Sequence, residues 1–175
     1  SQVEPSGAAE GPTEEELEKL FRSVMHEIQE LAYEDSTYVI GQIFGGDIEF
    51  DYDDRVTFDH FEYIRTTRQY SEMENYYGHF FTGEALDWIM STKFLDVDGV
   101  LYLWKTGGAT LNGCGSISIE NLQGNTYQAT WESSIGEHNT VFTVQKTDAG
   151  YRVSSIDYCP DLLDREVLKE RMGLE

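Results

Sequence analysis

"FLDVDGVLYLW", residues 94–104, is the stretch on which the fold turns. The hydrophobic period falls to two there, and two short strands are predicted around Asp98-Gly99, a dipeptide that tolerates the positive φ of a tight hairpin turn. Upstream the period is helical. Thr13 with Glu16 three residues later makes a capping box, and three consecutive acids from Glu14 suit the positive end of a helix dipole. Leu17, Leu20, Phe21, Val24, Ile28 and Leu31 then recur at three- and four-residue steps, which predicts one amphipathic helix of about twenty residues. Thr82 is placed to cap a later helix through Ser91, with Leu86, Ile89 and Met90 as its inner face. Ser71 with Glu74 makes a second capping box, opening a short helix that runs to about Phe80.

Between these helices the pattern is mixed. "YVIGQIF" (38–44) fits the end of a helix or a strand, and "DIEFDYDD" (47–54) reads as a solvated acidic loop. "FEYIRTT" (61–67) alternates as a half-buried strand should. Downstream of the hairpin, "SISIENL", "TYQATWESS", "TVFTVQK" and "YRVSSIDY" predict four further strands, with a bulge near Ser154-Ser155 where parity slips. "DLLDREVLKERMG" closes the chain as a short helix stopped by Gly173. Helices followed by antiparallel strands make an α+β fold, its N-terminal helices packed on a curved antiparallel sheet in the manner of cystatin-like or nuclear transport factor 2-like proteins.

The 175 residues, 39% hydrophobic and 13% aromatic, suffice for one core. Residues 13–175 are read as a single domain and a monomer. Residues 1–12, rich in Ser, Gly, Pro and Glu, are read as a disordered linker or tether. A removed signal or lipoprotein peptide upstream fits that segment, so the expected location is extracellular or at the cell envelope. No apolar run reaches the length of a membrane span. With 33 Asp and Glu against 12 Lys and Arg, the formal charge is -21. Such a surface repels nucleic acid and steers the protein toward a basic partner.

Motifs for chemistry are sparse. His26, His60, His79 and His138 share no metal-ligand spacing: His26 is read beside an apolar stripe, His60 at a strand start, His79 near a helix end and His138 in a turn. Asp51, Asp53 and Glu62 sit at positions one, three and twelve of a calcium-loop template, but Arg55 and Val56 occupy the places where the loop needs a ligand and a Gly. No metal and no cofactor is expected. Neither Ser71 nor Ser91 lies in a nucleophile motif. Cys114 and Cys159 allow one disulfide or two free thiols. "LWKTGGATLNGCGS" (103–116) matches no phosphate-binding pattern and reads as a flexible connector. Alternation places Leu101 and Leu103 on one strand face and Tyr102 and Trp104 on the other, where part of that aromatic pair is expected to be exposed.

The order "FEYIRTTRQYSEMENYYGHFFTGEALDWIM" followed by "FLDVDGVLYLW" resembles the IseA-type DL-endopeptidase inhibitor domain of Gram-positive bacteria, over roughly Phe58 to Tyr158. The likeness lies in the aromatic strand, the helix after it, Phe81-Thr82 opening "FTGEA", and the Asp-Gly turn into "LYL". It implies an exported, non-enzymatic protein that binds cell-wall hydrolases of the NlpC/P60 class and blocks their cleft. A charge of -21 suits a basic target. The candidate partner-binding residues are Asp51, Asp53, Asp54, Tyr102 and Trp104. The alternative from another class is a protein with a small apolar pocket, or an isomerase-like enzyme, which needs His26 or an Asp projecting into an enclosed cavity.

Overall fold

A computed structural model describes residues 11–46, 48–110 and 113–174. Residues 1–10 of the expected linker lie outside the described residues, and Gly11 and Pro12 stand without regular structure ahead of the first helix. That helix, α1 (Glu14–Tyr33), begins as its sequence requires: the Thr13 hydroxyl accepts from the Glu16 N–H and the Glu16 carboxylate accepts from the Thr13 N–H. Its buried face comprises Leu17, Phe21, Val24, Met25, Ile28, Leu31 and Ala32. Helix α2 (Ser36–Phe44) resolves the mixed segment as helix, because Asp35 accepts from the Thr37 and Tyr38 N–H groups and so nucleates it.

Among the described residues, eight strands form two four-stranded antiparallel sheets. The first contains β1 (Phe50–Phe58), β2 (Phe61–Gln69), β3 (Phe94–Val97) and β4 (Val100–Leu103), in the order β1-β2-β4-β3. The second is a meander of β5 (Ile117–Gln123), β6 (Thr126–Ser133), β7 (Gly136–Thr147) and β8 (Gly150–Ile156). Asp98 and Gly99 have φ of 53° and 88°, as the hairpin turn between β3 and β4 demands. Thr143 pairs with Ser155 and Val144 with Val153, which leaves Ser154 as the bulged residue. After the sheets come a 3-10 turn (Asp161–Leu163) and α5 (Arg165–Arg171), with Gly173 at φ 75° just beyond.

Several local expectations are corrected. From Phe50 onward the acidic segment is the edge strand β1, not a loop. Helix α3 (Tyr70–Tyr77) starts before Ser71: the Glu72 carboxylate accepts from the Gln69 N–H, so the cap lies two residues upstream of the expected one. Helix α4 (Gly83–Lys93) does start after Thr82, yet the Thr82 side chain makes no capping bond. Its N–H instead donates to Val153, and Val153 donates to Phe80, so the "FFT" segment runs parallel to β8 and covers that edge. His60 shares the β1–β2 turn with Asp59, both at positive φ, and His138 lies within β7.

The main core is shared by α1, α2, α4 and one face of each sheet. Phe21 of α1 meets Phe142 of β7 with ring centroids 5.0 Å apart, and Tyr127 and Trp131 pack in the same interior as Leu101 and Leu103. Buried among these elements is an amine. Lys93 is 1% exposed, and its Nζ donates to the Leu31 carbonyl at 2.6 Å and to Thr106 Oγ1 at 2.7 Å. Thr106 and Ser36 are themselves bonded at 2.8 Å, so one side chain ties α1, α2 and the segment after β4 together. Burial pulls the Lys93 pKa down to about 8, against an upward pull from Asp35. The connector after β4 is also held by the Ala109 N–H on the Tyr33 carbonyl and Gln29 on the Gly113 carbonyl.

Candidate functional site

The first sheet packs apolar side chains on both faces. Leu101 and Leu103 turn to the main core, while Phe61, Tyr63 and Tyr102 form a second cluster on the opposite face with Val56, Leu95, Val97, Val100, Trp104 and Leu168 around them. The predicted alternation along β4 is therefore present, but its exposure is not as expected: Tyr102 is only 4% exposed, and Trp104 is half-buried. Trp104 packs on Phe61 at 4.6 Å between ring centroids. Helix α5 covers one end of this face, with Arg165 4.4 Å from the Phe61 ring centroid and bonded to the Tyr63 hydroxyl. Asp59 accepts from both Arg165 and Lys169, which fastens the helix to the β1–β2 turn. The far end of the face, with Leu95, Val97 and Val100, is half-open.

Three sequence-nominated residues meet here. The Tyr102 hydroxyl donates to Asp54 Oδ1 at 2.9 Å, and Arg65 donates to Asp54 Oδ2 at 3.1 Å. Tyr102 first, and Arg65 second, hold the Asp54 carboxyl below its usual range. Trp104 joins through the second cluster. Asp51 and Asp53 lie apart from that floor, on the rim formed by β1. Asp51 pairs with Arg65 in the strand register and Arg55 with Ile64, so Tyr52, Asp53 and Asp54 are extra residues bulged out of the ladder. Asp51 Oδ1 accepts from the Asp53 N–H at 3.1 Å and shapes the bulge. Neither carboxylate has an ion-pair partner among the described residues.

Sequence reasoning missed three neighbours. Tyr52, at the crest of the bulge, is 49% exposed and flanked by Arg55 and Lys105, whose charged groups lie 5.9 and 5.3 Å from its ring centroid. Lys105 also donates to the Tyr52 hydroxyl. Arg65, which neutralises Asp54, was hidden in an alternating strand. Only the aromatic-acid alternation "FDYDD" pointed to Tyr52; the pairing with Lys105 joins residues 53 positions apart and has no local signature.

The other candidates are dispersed. His26 is on the surface, with its side chain 59% exposed and Nε2 3.8 Å from Glu30. His138 stacks on Trp131 at 4.4 Å and bonds Ser133. His60 and His79 are exposed in turns. Among the described residues, no group of three or more His, Cys, Asp or Glu is arranged to hold a metal ion. Cys114 and Cys159 are free thiols. Glu27, pushed up by burial, accepts from the Tyr76 hydroxyl at 2.8 Å. No helix among the described residues is long and apolar enough to cross a membrane. No protein-family model matches the chain, and no curated protein and no solved structure is significantly similar to it.

Proposed function

We propose that this is a non-enzymatic, exported protein-binding domain whose docking face is the outer side of the first sheet, and that its target is a basic cell-wall hydrolase of the NlpC/P60 class, which it inhibits. The observation that carries the reading is the arrangement of that face: half-buried Trp104, Val97 and Val100 over the buried Tyr102, rimmed by the exposed acids Asp51 and Asp53. An apolar centre with a charged rim is the anatomy of a protein interface. The field supports it. Seven of the twelve Lys and Arg (Arg22, Arg55, Arg65, Arg68, Arg165, Lys169 and Arg171) are already in ion pairs, which leaves most of the 33 acids unneutralised. Complementary fields of this kind raise the rate of encounter and fix orientation.

The test is peptidoglycan hydrolysis by an NlpC/P60 endopeptidase with and without the protein. Stoichiometric inhibition is expected, weakening as added salt shortens the Debye length from about 30 Å to about 8 Å. Undiminished hydrolysis with no complex at low salt would sink the proposal.

A further inference from the structure

Where the first sheet loses its register it opens a cleft of about 340 Å³, lined by Asp51, Arg65, Thr66, Thr67, Gln69 and Val100. Two ladder faults meet there. β1 leaves the ladder after the Asp51–Arg65 pair, and β2 shifts against β4 between Arg65 and Gln69. We propose that this cleft receives a basic side chain, arginine or lysine, from the protein partner. The inference rests on the reading of the domain as a binder of basic proteins, and it names the element of the partner that is recognised.

The lining holds one cation, Arg65, already matched, and one carboxylate, Asp51, that is not. Arg65 is engaged by Asp54, so its charge is already matched. Thr66 is buried, and its hydroxyl donates to the Leu101 carbonyl at 2.7 Å. Asp51 is different: it accepts from the neighbouring Asp53 N–H, and it has no ion-pair partner among the described residues. A carboxylate accepts more than one donor, so Asp51 retains capacity for a guanidinium or ammonium group. Val100 offers apolar surface to the methylene stem of such a side chain, and Thr67 and Gln69 carry oxygens able to accept its further N–H groups. An incoming carboxylate meets the opposite situation, since it would face Asp51 and compete with Asp54 for Arg65 inside a chain of charge -21.

The experiment uses the whole chain labelled with ¹⁵N, a short arginine peptide as probe at low salt, and the variants Asp51→Asn and Asp148→Asn. The Asn side chain at 51 retains the oxygen that accepts from Asp53, and Asp148 is an exposed acid in the turn between β7 and β8, so both variants change net charge equally. Expected are amide shifts concentrated at Thr67, Gln69 and Val100 and an affinity about tenfold weaker in Asp51→Asn, the loss of one charge-assisted bond, with Asp148→Asn close to the parent. Equal weakening in both variants, or shifts spread over other acidic surfaces, overturns the cleft and leaves the basic-partner reading standing. Absence of any binding at low salt overturns both.

Discussion

Replacing Lys93 by Met should flatten the alkaline rise in this protein's stability. The amine is enclosed by α1, α2, α4 and the segment after β4, with the Leu31 carbonyl and Thr106 hydroxyl as its acceptors and Asp35 as the acid it feels. No carboxylate is bonded to it among the described residues. Two acceptors match the two N–H donors of a neutral amine, so the fold suits the deprotonated form better than the charged one. The folded pKa of about 8 lies below the ordinary 10.5. The unfolded chain therefore binds the additional proton between those values, and stability rises with pH across that window. The gap corresponds to about 3 kcal/mol, of which about 1 kcal/mol is recovered between about pH 7 and pH 9. Two thiols act in the opposite sense: burial raises Cys114, and burial with Asp164 and Asp161 raises Cys159 to about 11, so both contributions decline once unfolded thiols begin to ionise. Urea unfolding of the parent and Lys93→Met at a series of pH values removes that background, because the thiols are common to both. The difference curve should climb by about 1 kcal/mol toward pH 9. Parallel curves would show that water reaches the amine and leaves its pKa at the ordinary value, and would refute the argument; a climb well above about 1 kcal/mol would show an amine already neutral at pH 7.

Three other perturbations test the packing. The Tyr77 hydroxyl is fully buried and has no hydrogen-bond partner among the described residues, so Tyr77→Phe should raise stability by about 1 kcal/mol, measured by urea unfolding; a loss of similar size would reveal a partner. Arg165→Met removes bonds to Asp59, Tyr63 and the Thr92 carbonyl, and should cost about 2 kcal/mol and leave α5 open to proteolysis before the sheets unfold. Uniform protection of α5 in that variant would argue that Leu168 packing holds the helix unaided. Cys159 is exposed by area, yet its thiol is pushed up to about 11, so a disulfide reagent near pH 8 should modify it far more slowly than a free thiol. Rapid modification would contradict that environment.

What was legible in the chain was what local chemistry dictates. The Thr13 capping box, the Asp98-Gly99 turn, the meander after Ile117 and the Ser154 bulge all follow from residues within a few positions of one another. The failures have equally specific causes. Asp35 was not recognised as a cap, so α2 stayed ambiguous. The acids of β1 masked a strand because an edge strand needs no alternating apolar face once its side chains meet solvent. Tyr102 was expected to be partly exposed because β4 was read as covered on one side only, whereas Leu168 and Arg165 of α5, some sixty positions later, cover the other side at one end. Lys93 gave no signal at all: its burial depends on four separate segments closing over it. Of the candidate site, the composition of the floor and rim was readable, but the contact between Asp54 and Tyr102 depends on register.

That register bears on how a partner is held. An unpaired edge such as β1 is ordinarily a template for strand addition, in which main-chain bonds supply affinity and any extended chain qualifies. Here the three-residue bulge at Tyr52–Asp54 breaks the edge at its middle, and the Arg55 guanidinium donates to the Tyr52 carbonyl, occupying an acceptor that an added strand would use. If this face binds a partner as proposed, recognition proceeds through side chains: the exposed Tyr52 ring, the carboxylates beside it and the aromatic cluster behind. The aromatic groups are fixed, since Phe61 and Trp104 pack together and Tyr102 is anchored on Asp54, so little ordering entropy opposes docking. The acids remain exposed on the rim, where charge acts chiefly on encounter and orientation. Binding by this face should accordingly lose association rate with added salt while its dissociation rate, set by the aromatic contacts, changes little; a salt effect confined to dissociation would place the acids inside the interface instead.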